Sequence, residues 1–153
     1  MMCPFCRLLM DDQDTSLIVR MKHGRLFLNR NQCFKGRVIY VYHKHIDDIS
    51  QIDVNHYFEA DKEIIVIAKA IKRIFNADLI NAASLGNHVQ HLHWHIIPRY
   101  KNDPNWGNPP WPHGVEELTE AEQKERCLFI RNELVTDKEF KALDAAMEYG
   151  KVG

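Results

Sequence analysis

Residues 86–100 read GNHVQHLHWHIIPRY, with His91, His93 and His95 at strict alternation inside that stretch. Positions i, i+2 and i+4 share one face of a β-strand. A strand over 90–100 therefore presents three imidazoles on one side, while Leu92, Trp94 and Ile96 face the other and suit a core. One or two such histidines are ordinary solvated residues of a half-exposed sheet; three in register point to chemistry. Alternate imidazoles can direct nitrogens at one metal ion such as Zn. They can also serve phosphoryl or nucleotidyl transfer, in which one neutral ring attacks phosphorus while its neighbours donate to the phosphate oxygens.

Outward from this stretch, residues 78–84 form another β pattern, separated from it by the polar turn around Leu85-Gly86-Asn87. Before that the period changes: Tyr57, Ile64, Ile67, Ile71 and Ile74 fall three to four apart or in multiples, predicting a long amphipathic helix over 54–75. Three more β patterns lie at 16–21, 25–29 and 38–42, the first two flanking Lys22-His23-Gly24 as a hairpin. Residues 101–117 mix Pro and Asn with Trp and read as an ordered loop. Beyond it, Thr119-Glu120-Ala121-Glu122 and Thr136-Asp137-Lys138-Glu139 both fit the S/T-x-x-E capping box, starting helices whose apolar faces include Leu128, Ile130, Phe140 and Leu143. The sum is α+β: a mainly antiparallel five-stranded sheet with a long central helix and C-terminal helices.

A chain of 153 residues suits one domain, with a core over about 3–112 and a helical extension over about 118–149. Its net charge of -1 supplies no broad basic footprint, so no nucleic acid polymer is expected and any phosphate must be gripped locally. No stretch approaches the roughly 18 apolar residues that span a bilayer, and Asp11, Asp12 and Asp14 argue against a leader; a cytoplasmic protein without membrane contact is expected. Cys3 and Cys6 form a CxxC while Cys33 and Cys127 stand alone, which fits reduced thiols rather than a disulfide framework.

HLHWHII matches the HxHxHxx pattern, with x apolar, of the histidine triad (HIT) family of nucleotide hydrolases and transferases. The chain resembles that family also in CPFC at 3–6, LFLNRN at 26–31, Lys44-His45-Ile46, and the placement of Asn81 and Asn87. The stretch IIPRYKNDPNWGNPPWP at 96–112 is similar to a bacterial, diadenosine polyphosphate hydrolase-like branch. The resemblance implies the HIT-like fold, a homodimer, and cleavage at the α-phosphate of an adenine (di)nucleotide or nucleoside phosphoramidate with release of a nucleoside monophosphate. It implies His93 as nucleophile, forming a nucleotidyl-histidine intermediate, with His95 donating to the phosphate or leaving group and the His91 carbonyl holding the Nδ1 proton of His93. Asn81, Asn87 and His88 fall at the family's phosphate contacts and Asn29 at its ribose contact; read by residue type alone, the three asparagines are equally turn-formers. His95, where the related uridylyltransferases have Gln, favours water as acceptor.

Departures are His88, where a small hydroxyl residue is usual, and Lys35-Gly36-Arg37, where Pro-Gly and then His are common; the second is expected to lie off the chemistry. Cys3 and Cys6 have the spacing of half a tetrahedral Zn site. The resemblance supplies His45 and His91 as the other ligands of a structural zinc, against the alternative of two small, partly buried thiols. No organic cofactor is expected. His23, His43, His56 and His113 read as surface residues. Other readings are a nucleotidyltransferase and a zinc-binding, nucleotide-binding adaptor without turnover.

Overall fold

Period-two apolar patterning and a long helical stripe resolve into two layers. The computed structural model describes residues 1–143. The part of the expected C-terminal extension beyond 143 lies outside the described residues. Five strands, β1 (Leu17–Arg20), β2 (Gly24–Leu28), β3 (Val38–Tyr42), β4 (Leu79–Ala83) and β5 (His93–Arg99), form one antiparallel sheet in the order β1-β2-β3-β5-β4. The helices among the described residues are α1 (Pro4–Met10), α2 (Val54–Ile74), α3 (Glu120–Thr136) and α4 (Lys138–Leu143), with a 3-10 turn at Ile49–Gln51.

One sheet face buries Leu26, Leu28, Val38, Tyr40, Trp94 and Ile96 against Ile64, Ile67 and Ile71 of α2, Cys127, Ile130 and Leu134 of α3, and Phe140 of α4. Each such aliphatic side chain removed from water contributes roughly 1.5–3 kcal/mol. The Asp53 side chain caps α2 by accepting from the backbone N–H groups of Asn55 and His56, fixing where its apolar stripe begins. On the opposite face Leu17, Phe27 and Val41 pack with Phe5, Leu8 and Leu9 of α1.

The registers Ile39↔His95 and Val41↔His93 place both histidines on this second face. The sheet therefore holds its helices on one side and its imidazoles on the other.

Several expectations need correction. The strand predicted over 90–100 begins at His93, so His91 precedes the ladder. Helix α1 had no counterpart in the sequence reading. Thr119 forms the expected capping box with Glu122, but Thr136 ends α3, its hydroxyl donating to the carbonyls of Asn132 and Glu133, and Asp137 caps α4 through the Phe140 N–H. Leu128 is exposed; the apolar stripe of α3 runs through Cys127, Ile130 and Leu134 instead.

Candidate functional site

Strand alternation puts His93 and His95 beside each other, ring centroids 5.1 Å apart. Phe5 of α1 covers His93 edge-on at 4.7 Å, and His93 is 5% exposed. Its Nδ1 donates to the His91 carbonyl at 2.6 Å. With that proton committed, Nε2 carries the lone pair. Burial holds the His93 imidazolium below the ordinary histidine range, opposed by the His91 bond. His95 is pulled down to about 4, first by burial, then by the Arg37 charge and by repulsion from His93 and His113 whenever those rings are protonated. Both rings are neutral at pH 7.

His91 is fully buried and its ring turns away from this pair. Its Nε2 donates to the Tyr42 carbonyl at 2.8 Å, leaving Nδ1 as an unprotonated acceptor. That Nδ1 lies 3.6 Å from Cys3 Sγ, 3.5 Å from Cys6 Sγ and 3.3 Å from His45 Nδ1. Cys6 Sγ and His45 Nδ1 are 3.2 Å apart, and the ligand atoms of Cys3, Cys6, His45 and His91 all lie within 4.8 Å of one another. Bonds of about 2.3 Å to sulfur and 2.0–2.1 Å to nitrogen put tetrahedral zinc ligands roughly 3.3–3.8 Å apart. The partners of the outward nitrogens also fit: each imidazole offers Nδ1 inward, while His91 Nε2 meets a carbonyl and His45 Nε2 lies 3.8 Å from Asp47 Oδ1. The donor set suits Zn(II).

The expected nucleotide contacts are more dispersed. Asn29, at the end of β2, uses Oδ1 to accept from the Asn31 N–H at 2.9 Å. Asn81, on the histidine face of β4, has its Oδ1 held by Arg99 Nη1 at 2.7 Å. Asn87 and His88 are exposed in the loop ahead of β5.

Arg99 is 1% exposed and fastens the loop that follows. Its guanidinium also donates to Asp103 Oδ2 at 3.0 Å and to the carbonyls of Asn108 and Asn105 at 3.0 and 2.9 Å.

Two residues expected to lie away from the chemistry border it. His113 is half-buried, not a surface residue, and its Nε2 accepts from Arg37 Nη1 at 2.8 Å. Arg37 is 4% exposed, on the same face as His95, with Trp111 at 5.2 Å from the His95 ring and under the guanidinium at 5.8 Å. Gly36 at φ +93° sets the turn that feeds Arg37 into β3, and a Cβ there would collide with the Phe75 ring. His23 is also half-buried, whereas His43 and His56 are exposed as expected.

A sheet with paired imidazoles on one strand and a Cys/His cluster at that strand's start defines a class, and the comparisons name it. The family model described as HIT domain matches residues 11–102, and the chain belongs to that family. Protein hit of Bacillus subtilis is 29% identical over 113 residues, covering 69% of this chain and 76% of that protein. A histidine triad protein from Sinorhizobium meliloti superposes with a TM-score of 0.70 at 25% identity, over 81% of this chain and 95% of the other. A diadenosine triphosphate hydrolase from Plasmodium falciparum shares the fold, with a TM-score of 0.66 at 16% identity over 80% and 78% of the two chains. So does a zinc-bound histidine triad family protein from Mycobacterium smegmatis, with a TM-score of 0.64 at 19% identity over 95% and 97%. No helix among the described residues is long and apolar enough to cross a membrane.

Proposed function

We propose that this protein is a nucleotide hydrolase in which His93 Nε2 attacks the α-phosphorus of an adenine nucleotide derivative. The observation carrying this reading is the 2.6 Å bond from His93 Nδ1 to the His91 carbonyl, which fixes the tautomer whose Nε2 lone pair is available. The P–N bond forms as the bond to the leaving group breaks, giving a nucleotidyl-histidine. Water then attacks the same phosphorus, the P–N bond breaks, and a nucleoside monophosphate departs. His95 donates a hydrogen bond to the phosphate or leaving group. Asn29 contacts the ribose, while Asn87 and His88 reach the phosphates from the loop ahead of β5. Asn81, its oxygen held by Arg99, offers only N–H donors, the polarity a phosphate requires. Rapid quench with α-labelled dinucleotide should trap acid-labile label on the protein. Unlabelled protein during active turnover would sink the scheme.

Cys3, Cys6, His45 and His91 would hold a structural zinc that ties α1 to the residue orienting His93. Zinc in such a site contributes folding energy and takes no part in the reaction. The free cysteines fit a reducing, cytoplasmic setting. A homodimer is proposed through the open edge of β4 and the exposed Val54, Phe58 and Ile65 of α2. Light scattering that gives the mass of one chain at working concentration removes that part of the reading.

A further inference from the structure

A buried guanidinium without a carboxylate is expensive. Arg37 is one: it is 4% exposed, and among the described residues no carboxylate contributes to its electrostatics. Its neighbours are neutral. His113 accepts from Nη1 and uses its own Nδ1 to donate to the Gly114 carbonyl at 2.7 Å, so that ring is held as one uncharged tautomer. The Cys33 thiol, which burial keeps protonated, accepts a hydrogen bond from the guanidinium. The Trp111 ring closes another side. Arg37 Nε is buried with no hydrogen-bond partner, and so is Nδ1 of His95, which shares the Trp111 contact. Two unmet polar atoms and a positive charge with no carboxylate partner among the described residues thus meet at the same flank of the proposed nucleophile.

We propose that Arg37, held in place by His113 and Trp111, is an anion subsite for the departing side of the substrate, and that it directs the enzyme to phosphoric anhydrides over phosphoramidates. The inference rests on the hydrolase reading above and names its substrate class. In an anhydride, the P–O bond breaks and the oxygen leaves with the electron pair as a phosphate, whose last pKa is about 6. That oxyanion needs no proton. It needs a fixed positive charge, which the Arg37 guanidinium supplies near neutral pH even though burial lowers its pKa. In an amidate, the P–N bond breaks and the departing nitrogen, with the basicity of an amine of pKa about 10, must first receive a proton. His95 is neutral at pH 7 and repelled from protonation by Arg37 itself, so it makes a weak acid catalyst for that step. The same guanidinium thus assists one leaving group and hinders the other.

The test compares wild type with Arg37→Gln and Arg37→Lys on diadenosine tetraphosphate and adenosine 5′-phosphoramidate, which share the adenylyl group. The ratio of kcat/KM for anhydride over amidate should fall by about 10²-fold in Arg37→Gln, the scale of losing one charge-stabilising donor. Arg37→Lys should recover part of the ratio. An unchanged ratio, or equal losses on both substrates, overturns the proposal. A second arm titrates inorganic tripolyphosphate by calorimetry, and Arg37→Gln should bind at least about tenfold more weakly than wild type. Equal binding overturns the anion subsite. Should Arg37→Gln fail to fold, His113→Ala, which releases the guanidinium, should lower the same ratio and the same affinity. A wild type that cleaves neither nucleotide counts against the hydrolase reading, and the tripolyphosphate arm then decides the subsite alone.

Discussion

His91 holds His93 through its main chain and faces away from it through its side chain. The carbonyl oxygen accepts the His93 Nδ1 proton at 2.6 Å, while the imidazole of the same residue donates to Tyr42 and presents Nδ1 to Cys3, Cys6 and His45. If His93 is the nucleophile, His93→Ala abolishes the labelled intermediate and leaves nucleotide affinity largely intact, since binding rests on other groups. His95→Ala should cost roughly 10²- to 10³-fold in kcat. Because burial lowers the His93 pKa from 6.5, the acid limb of kcat/KM should fall below that value. Turnover by His93→Ala at a wild-type rate would refute the assignment.

Metal content tests the other half of His91. Protein purified without chelator should carry one zinc per chain, and replacing Cys3 and Cys6 with Ser together should remove it. Thermal stability should drop while the folded remainder still turns over, because the donors Cys3 and Cys6 do not touch His93. Metal analysis that finds no zinc rejects this.

Glu63 gives a stability prediction remote from the site. It is 3% exposed on α2, accepts from the Tyr40 hydroxyl at 2.9 Å and from the His23 N–H at 3.0 Å, and burial raises its pKa to about 7. The folded state thus keeps a proton that the unfolded chain releases from 4.5 upward, so stability is lost as pH rises from 4.5 to 7. The loss can reach on the order of 3 kcal/mol. Glu63→Gln should flatten that slope, read as the difference between the two proteins' urea midpoints across the range. Parallel pH profiles would show that Glu63 does not titrate there.

Arg99 and Asp103 form a pair whose side chains are 2% and 10% exposed. Arg99→Met strands the carboxylate and unfastens the carbonyls of Asn105 and Asn108, which should cost about 3–5 kcal/mol by denaturant titration. Adding Asp103→Asn should recover part of that loss. A single variant within about 0.5 kcal/mol of wild type would show the pair to be dispensable.

The histidine strand was legible because alternation encodes a face directly: Leu92, Trp94 and Ile96 entered the core and His93 and His95 did not. Helix α1 was not legible. Its seven residues have no side-chain cap, too short a run to signal itself, and the helix is held by packing of Phe5, Leu8 and Leu9 on the sheet. Thr136 misled because Thr136 and Asp137 are both capable caps, and α3 extends through the first of them. The pairing of Arg37 with His113 had no local signal at all. It arises because the loop after Arg99 folds back, with the Gln32 N–H donating to the Glu116 carbonyl, and no periodicity records a contact made that way.

The strand order also fixes when this protein can begin to work as it leaves the ribosome. β1·β2, β2·β3 and β4·β5 pair strands that follow one another in sequence, but β3 pairs with β5, which is made last and slots between β3 and β4. Until residues through Arg99 have emerged, β3 and β4 both present unpaired edges, and closing the long loop between 42 and 93 sets the pace. A nascent or truncated chain that stops short of β5 is therefore two open sheet edges in search of a strand, the form most prone to pair with another copy of itself.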